Sequence, residues 1–194
     1  MTPEKLAPDA QRKRNIQKIF YYTKSLQYGH KYIWQSLPRA LELWFEYHDD
    51  NDDGKIQQYM RQELMKLESF KVASALQILL SRFGHHKEQV RETILTVLAK
   101  LASEYPSQCA WWIFHFHFFE DQASSGNRKL TKSNQAITRA EFARELIKKI
   151  LLKSEKASEK IMMCETIFGD LKKLSERQTS RPNEQTMDIP KSLG

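Results

Sequence analysis

The chain has 194 residues, of which 40% are hydrophobic and 28% charged, with a formal net charge of +7 and a pI near 9.3. That length holds one domain with a real core and excludes several, the composition excludes disorder throughout, and six glycines and six prolines against abundant Leu, Ile, Lys, Glu and Gln favour helices over sheets. The basic residues are scattered rather than gathered in one block, which argues against direct nucleic-acid binding, and the two cysteines, Cys109 and Cys164, are too few for a disulfide framework.

Residues 1–8 carry two prolines and no periodicity and are expected to form a flexible lead-in. From Asp9 the apolar positions Ile16, Ile19, Phe20, Thr23 and Leu26 step at helical spacing to Tyr28, with Gly29 placed to stop the helix in a left-handed conformation. The cluster Arg12-Lys13-Arg14 reads as a solvated helix face. Ser36 is expected to cap a second helix, with Pro38 in its first turn and Leu37, Leu41, Trp44 and Phe45 on its buried side; Arg39 is placed to tie the turn to a neighbouring helix.

The acidic stretch 48–54 opens like a calcium-binding loop, since Asp49, Asn51, Asp53 and Gly54 supply alternating oxygens and a turn. Position twelve of such a loop should be a bidentate Glu and is Met60, with Glu63 three residues too far along. An acidic surface loop is the expectation, and a calcium-regulated switch the reading it displaces. A helix follows over Lys55 to Glu68, then one capped by Ser69 that carries Phe70, Val72, Ala73, Leu76, Leu79, Leu80 and Phe83 to Gly84. Val90, Ile94, Val97, Leu98 and Leu101 mark the next helix, ended by Pro106.

Ser107 to Glu120 forms a short, very apolar helix containing Trp111, Trp112, Phe114 and Phe116. It falls short of the roughly 20 residues of a bilayer span, so no membrane segment is expected, and nothing resembles a signal peptide. His115 and His117 stand two apart and point to different sides of a helix, which disfavours a shared metal ion with Cys109. Residues 121–133 read as an exposed loop. Helices then resume near Asn134, with Phe142, Leu146 and Ile150 inside, and over Ser154 to Arg177, where Gly169 makes a kink possible. Residues 178–194 read as an extended linker.

The fold class expected is all-α, with antiparallel helix pairs stacked as a HEAT/TPR-like solenoid fragment over residues 9–177. No catalytic, cofactor-binding or metal constellation stands out: there is no Gly-rich phosphate loop or nucleophile elbow, and Phe168-Gly169-Asp170 only permutes the magnesium-binding Asp-Phe-Gly of kinases.

One stretch carries a resemblance. Ser25 to Gly29, Ile33, Gln35, Ser36, Pro38, Arg39, Leu41, Leu43 and Trp44 fill the pattern SLQYG-x-x-x-I-x-Q-S-x-P-R-x-L-x-L-W, which resembles the C-terminal part of the FAT domain of ATR-type checkpoint kinases, within the phosphatidylinositol-3-kinase-related protein kinases. Leu79, Ser81, Arg82, His85 and Val90 extend it, as do Ala99-Lys100 and the Tyr105, Pro106, Gln108 and Trp111 of a YP-x-Q-x-x-W element. The likeness covers about Lys24 to Trp112 well, Gln135 to Arg177 by pattern, and Ile189-Pro190 to Gly194 weakly.

This resemblance implies a non-catalytic scaffold segment of an ATR-like serine/threonine protein kinase acting in the nucleus, in the DNA damage and replication-stress checkpoint. The segment would pack against and regulate the kinase domain of the same parent chain, reached through the 178–194 linker. ATP and magnesium would belong to that kinase domain, with no cofactor in this chain. Implied partners are the kinase domain, a second copy through FAT contacts and an ATRIP-like subunit, with neither nucleic acid nor membrane bound directly. The competing class is a free-standing helical-repeat adaptor for another partner. A solenoid fragment is also expected to self-associate through surfaces its neighbours would cover.

Overall fold

Apolar residues three and four apart give each helix one buried stripe, and such stripes are stable only when helices cover one another. The computed structural model describes residues 8–47, 54–123 and 139–175, all helices and short turns; residues 1–7, 48–53, 124–133 and 178–194 of the expected lead-in, loops and linker lie outside the described residues, while Pro8 of the expected lead-in and residues 121–123 of the expected 121–133 loop are helical. Among the described residues there is no strand, and the helices are antiparallel pairs of the HEAT/TPR-like kind. None of them is long and apolar enough to cross a membrane. The chain divides into two compact units, Met1–Leu98 and Ala99–Gly194.

In the first unit α1 (Pro8–Tyr28) turns back on α2 (Ile33–Tyr47), which in turn touches α3 (Lys55–Lys66). Ile19 and Leu26 of α1, Leu37, Leu41 and Trp44 of α2, and Met60 and Leu64 of α3 are buried almost completely. Two short helices follow, α4 (Ser69–Ala73) and α5 (Leu76–Ser81), and then the first part of α6 (Glu88–Glu104), whose Val90 and Ile94 complete this core.

A buried polar relay crosses the unit. The indole Nε1 of Trp44 donates to Gln57 Oε1 at 2.8 Å, and Gln57 Nε2 donates to Thr93 Oγ1 at 2.9 Å and to the Gln89 carbonyl at 2.7 Å. One glutamine on α3 thereby satisfies groups on both α2 and α6, and it can do so in one register only.

In the second unit, α7 (Pro106–Ala123) packs on both α8 (Arg139–Lys153) and α9 (Glu155–Ser175), and α8 packs on α9. Ile113, Phe114, Phe142, Leu146, Ile150, Ile161 and Phe168 form its interior. Only Ser154 separates the last two helices. Its hydroxyl accepts from the Ala157 N–H at 3.3 Å and its carbonyl from the Ser158 N–H at 2.9 Å, which starts α9 as soon as α8 stops.

Several local expectations are corrected. Gly29 does not adopt the left-handed conformation; among the described glycines only Gly54, at φ +70°, does, where it precedes α3. The second helix starts at Ile33 rather than at Ser36, because the Tyr32 carbonyl already accepts from both the Gln35 and Ser36 N–H groups, and the extra turn brings Ile33 onto the buried stripe. Ser36 and Pro38 therefore lie inside α2.

The expected single helix over Ser69 to Phe83 is broken in two. At Ser74 and Ala75 the backbone bonds tighten from four residues back to three, reaching Lys71 O and Val72 O, and the Ser74 hydroxyl bonds Lys71 O as well at 2.7 Å. Ser69 is not its cap: Glu68 precedes the helix, and the Ser69 hydroxyl is buried without a partner. Gly169 lies within α9, where a Cβ would meet nothing within 4 Å.

Replacing Gln57 by leucine should lower stability by roughly 2 kcal/mol or more, since each buried group it orphans costs about 1–3 kcal/mol. The exposed neighbour Gln58→Leu should stay within about 0.5 kcal/mol, and urea midpoints of the two variants measure the difference.

Candidate functional site

The residues that stand out functionally surround the joint between α1 and α2. Inside the joint, α1 ends on a long-range contact. The Leu26 carbonyl lies in the last turn of α1, past the reach of an intrahelical donor, and Lys71 Nζ donates to it at 2.9 Å from 45 residues away. The Lys71 side chain is 8% exposed, and its ammonium also meets Glu68 at 2.9 Å. A cation on the final carbonyls of a helix is favoured by the helix dipole, and here it replaces the glycine cap.

The same side of α1 carries a ladder of polar groups with partners on α2 and α3. Asn15 Nδ2 donates to the Tyr47 hydroxyl at 2.8 Å, the Thr23 and Tyr59 hydroxyls share a hydrogen bond at 2.7 Å, and Gln27 Nε2 donates to the Glu63 carboxylate. Glu63 is buried and also accepts from Lys66 Nζ at 2.8 Å. That bond, followed by the charge of Glu63, raises the Lys66 pKa. The Phe20 and Tyr59 rings, 4.3 Å apart, close the ladder.

The outer side of the joint is aromatic and open. Tyr21, Tyr28, Tyr32 and Trp34 are 75%, 86%, 58% and 72% exposed, an unusual density for side chains of this size. A groove of about 790 Å³ runs between the two helices, walled by Tyr21, Tyr22, Tyr32, Trp34 and Pro38, with Ser25, Gln35 and Arg39 supplying donors. A smaller hollow of about 260 Å³, bounded by Leu26, Tyr28, Lys31 and Ile33, shares Ser25, Tyr32 and Ser36 with it. Arg39 does not tie the turn to another helix as expected: its guanidinium pairs with Glu42 one turn along α2, at 2.7 Å and largely in solvent. Such an exposed pair contributes about 0–1 kcal/mol.

The remaining residues singled out by the sequence stay apart from this site. Lys13 and Arg14 are exposed and Arg12 is half-buried. The acidic residues 49–53 lie outside the described residues, but the positions that follow them are committed elsewhere, Met60 to the core and Glu63 to Gln27 and Lys66. His115 is exposed while His117 is half-buried, as expected for ring directions that diverge along α7. Among the described residues no group of three or more His, Cys, Asp or Glu could hold a metal ion.

Burial pushes the Cys109 thiol up to about 12 and raises that of Cys164, so both are poor nucleophiles. Phe168 is buried and Asp170 pairs with Lys173 at 3.0 Å, both within α9, far from the geometry of a magnesium turn. Trp111, in the very apolar helix, is 57% exposed, with one side against the Phe168 ring at 4.7 Å.

Sequence reasoning missed Lys71, Gln57 and the pairing role of Glu63, because each acts on a group at least 13 residues away and no local pattern marks it. The exposed aromatics did carry a signal. Tyr21, Tyr28 and Trp34 fall off the apolar stripes of their helices, which is where a side chain meets solvent.

Comparison with known proteins places these features in context. Residues 55–169 match the family model described as serine/threonine-protein kinase ATR-like, HEAT repeats. The chain is similar to the serine/threonine-protein kinase ATR of Oryza sativa subsp. indica, 29% identical over 106 residues that make up 48% of this chain and 4% of that protein. It is 28% identical over 106 residues to that of Arabidopsis thaliana, again 48% of this chain and 4% of the relative. Against the ATR of Drosophila melanogaster it is 24% identical over 151 residues, covering 76% of this chain and 6% of that protein. The chain thus spans a small fraction of the length of its relatives, and no solved structure matches it.

The long-range cap gives the joint a specific weakness. Lys71→Met keeps the stem and removes the donor, which should cost roughly 1–3 kcal/mol and increase amide exchange in the last turn of α1. Lys24→Met, on the exposed side, should change stability by less than about 0.5 kcal/mol.

Proposed function

The chain belongs to the ATR-like serine/threonine-protein kinase family, whose HEAT-repeat segment it carries, and from that premise we propose that it is a non-catalytic scaffold that packs against a kinase domain and restrains it. The observation that carries this reading is that the family match spans residues 55–169, the α3 to α9 helices whose inward side chains pack helix against helix. The more specific reading is the C-terminal part of the FAT region of such a kinase, acting in the nucleus in the DNA damage and replication-stress checkpoint. It rests on the SLQYG to Leu-x-Leu-Trp motif over Ser25 to Trp44, which precedes the matched segment.

On this reading the mechanism is mechanical. Helices joined by buried polar relays resist shear between neighbours, so a load placed on one helix is passed to the next instead of being absorbed. Leu152, Met162 and Met163, exposed at 89%, 59% and 67% on α8 and α9, are among the apolar side chains available to a large partner. Methionine suits such a surface because it adapts its shape. The kinase domain, and with it ATP, magnesium and substrates, would lie elsewhere in the parent protein. The alternative of a free-standing adaptor draws on the open groove of the α1–α2 joint.

The test is to titrate the purified 194-residue chain into the isolated kinase domain of an ATR-like kinase and follow both binding and phosphorylation of a Ser-Gln peptide. Saturable binding with a change in rate is expected, weakened about tenfold or more by Leu152→Asp combined with Met163→Asp. A folded chain that neither binds nor alters the rate would refute the scaffold role.

A further inference from the structure

The outer groove of the α1–α2 joint is unaccounted for by scaffolding, since its exposed aromatic side chains, Tyr21, Tyr32 and Trp34, lie off the core. From its aromatic walls and net-basic surroundings we infer that it docks an acidic peptide segment carrying two apolar anchors. This inference is independent of the kinase-scaffold reading, because it concerns residues before the family match begins.

The shape sets the first requirement. Two adjoining hollows, about 790 and 260 Å³, are separated by Tyr32. The larger, walled by Tyr21, Tyr22 and Trp34, offers aromatic faces against which an aromatic or proline side chain can stack. The smaller, over Leu26 and Ile33, suits an aliphatic one. A linear peptide with anchors a few residues apart fills both, as in other groove-binding modes. Tyr and Trp supply contact area with few rotatable bonds, so ordering them on binding costs little entropy.

Charge sets the second requirement. Arg39 and Glu42, which line the larger hollow, pair with each other at 2.7 Å, and Lys31, lining the smaller one, together with the nearby exposed Lys24 leaves the balance of charge at the joint positive. Lys31 Nζ stands 5.4 Å from the centre of the Tyr32 ring, which holds a cation over the ridge between the two hollows. Earlier in α1 the sequence adds Arg12, Lys13, Arg14 and Lys18, outside the lining of either hollow. An acidic segment is attracted to such a joint and a basic one repelled, while the apolar anchors supply the register.

The inference is tested by fluorescence anisotropy with the full chain and a fluorescein-labelled peptide rich in Asp and Glu that carries one Leu and one Trp. A copy with Lys at every acidic position, an oligothymidylate, and light scattering of the chain alone complete the experiment. Saturable binding is expected, falling with salt, at least about tenfold weaker for Trp34→Ala and for Lys31→Glu combined with Arg39→Glu, and absent for the lysine copy. Melting curves check that the variants fold; should Trp34→Ala melt early, Tyr21→Ala replaces it.

Four results overturn the inference: no saturable binding at millimolar peptide, equal binding of the lysine copy, binding indifferent to the groove substitutions, or tighter binding of the oligothymidylate at the same residues. A dimer of the chain that Trp34→Ala converts to monomer overturns it as well, because the groove would then serve a second copy.

Discussion

The ammonium of Lys71 on the last turn of α1 is the contact on which the first unit depends. A helix that ends inside a protein leaves carbonyls without donors, and a buried cation without partners is costlier still. Bringing Leu26 O and Lys71 Nζ within 2.9 Å resolves both demands at once. It also fixes where the short α4 sits against the end of α1, beside the buried Val72. The same logic recurs at Gln27 with Glu63 and at Trp44 with Gln57, so the helices are registered by polar pairs and then consolidated by the apolar core. Apolar packing alone tolerates sliding, whereas an unmatched buried donor does not.

The helical architecture was legible because its signal is periodic. Ile94, Val97, Leu98 and Leu101 on α6, or Phe142, Leu146 and Ile150 on α8, repeat at intervals that only a helix turns to one side. What failed was punctuation. Gly29 has the chemistry of a left-handed stop but was not needed, since a lysine 45 residues on does the capping. The break at Ser74 and Ala75 was invisible because the apolar residues continue through it at compatible spacing, while the tightened backbone bonds to Lys71 O and Val72 O that mark it have no local sequence signature. Reading the joint as a site was possible only in part: the off-stripe positions of Tyr21 and Trp34 announce exposure, but the groove between them exists only once α1 and α2 are laid side by side.

Two kinds of surface follow from this division of labour. Groups facing the interior are occupied in holding helices together, which suits a part of a protein that bears load. Groups facing outward include an apolar set on α8 and α9 and an aromatic, basic set at the α1–α2 joint. On the proposed reading the first is the face toward a kinase domain and the second a recognition groove, so one segment would combine mechanical support with a place for regulation to act. The reactive side chains add no chemistry of their own, since burial holds the Cys109 and Cys164 thiols in their neutral form.

The most direct measurement of the scaffold claim is hydrogen exchange of the intact chain, alone and with an excess of the kinase domain of an ATR-like kinase. The account predicts slowed exchange along α8 and α9 around Leu152, Met162 and Met163, with the Gln57 and Lys71 neighbourhoods already slow in both states. Unchanged exchange on α8 and α9 at saturating kinase domain would contradict it.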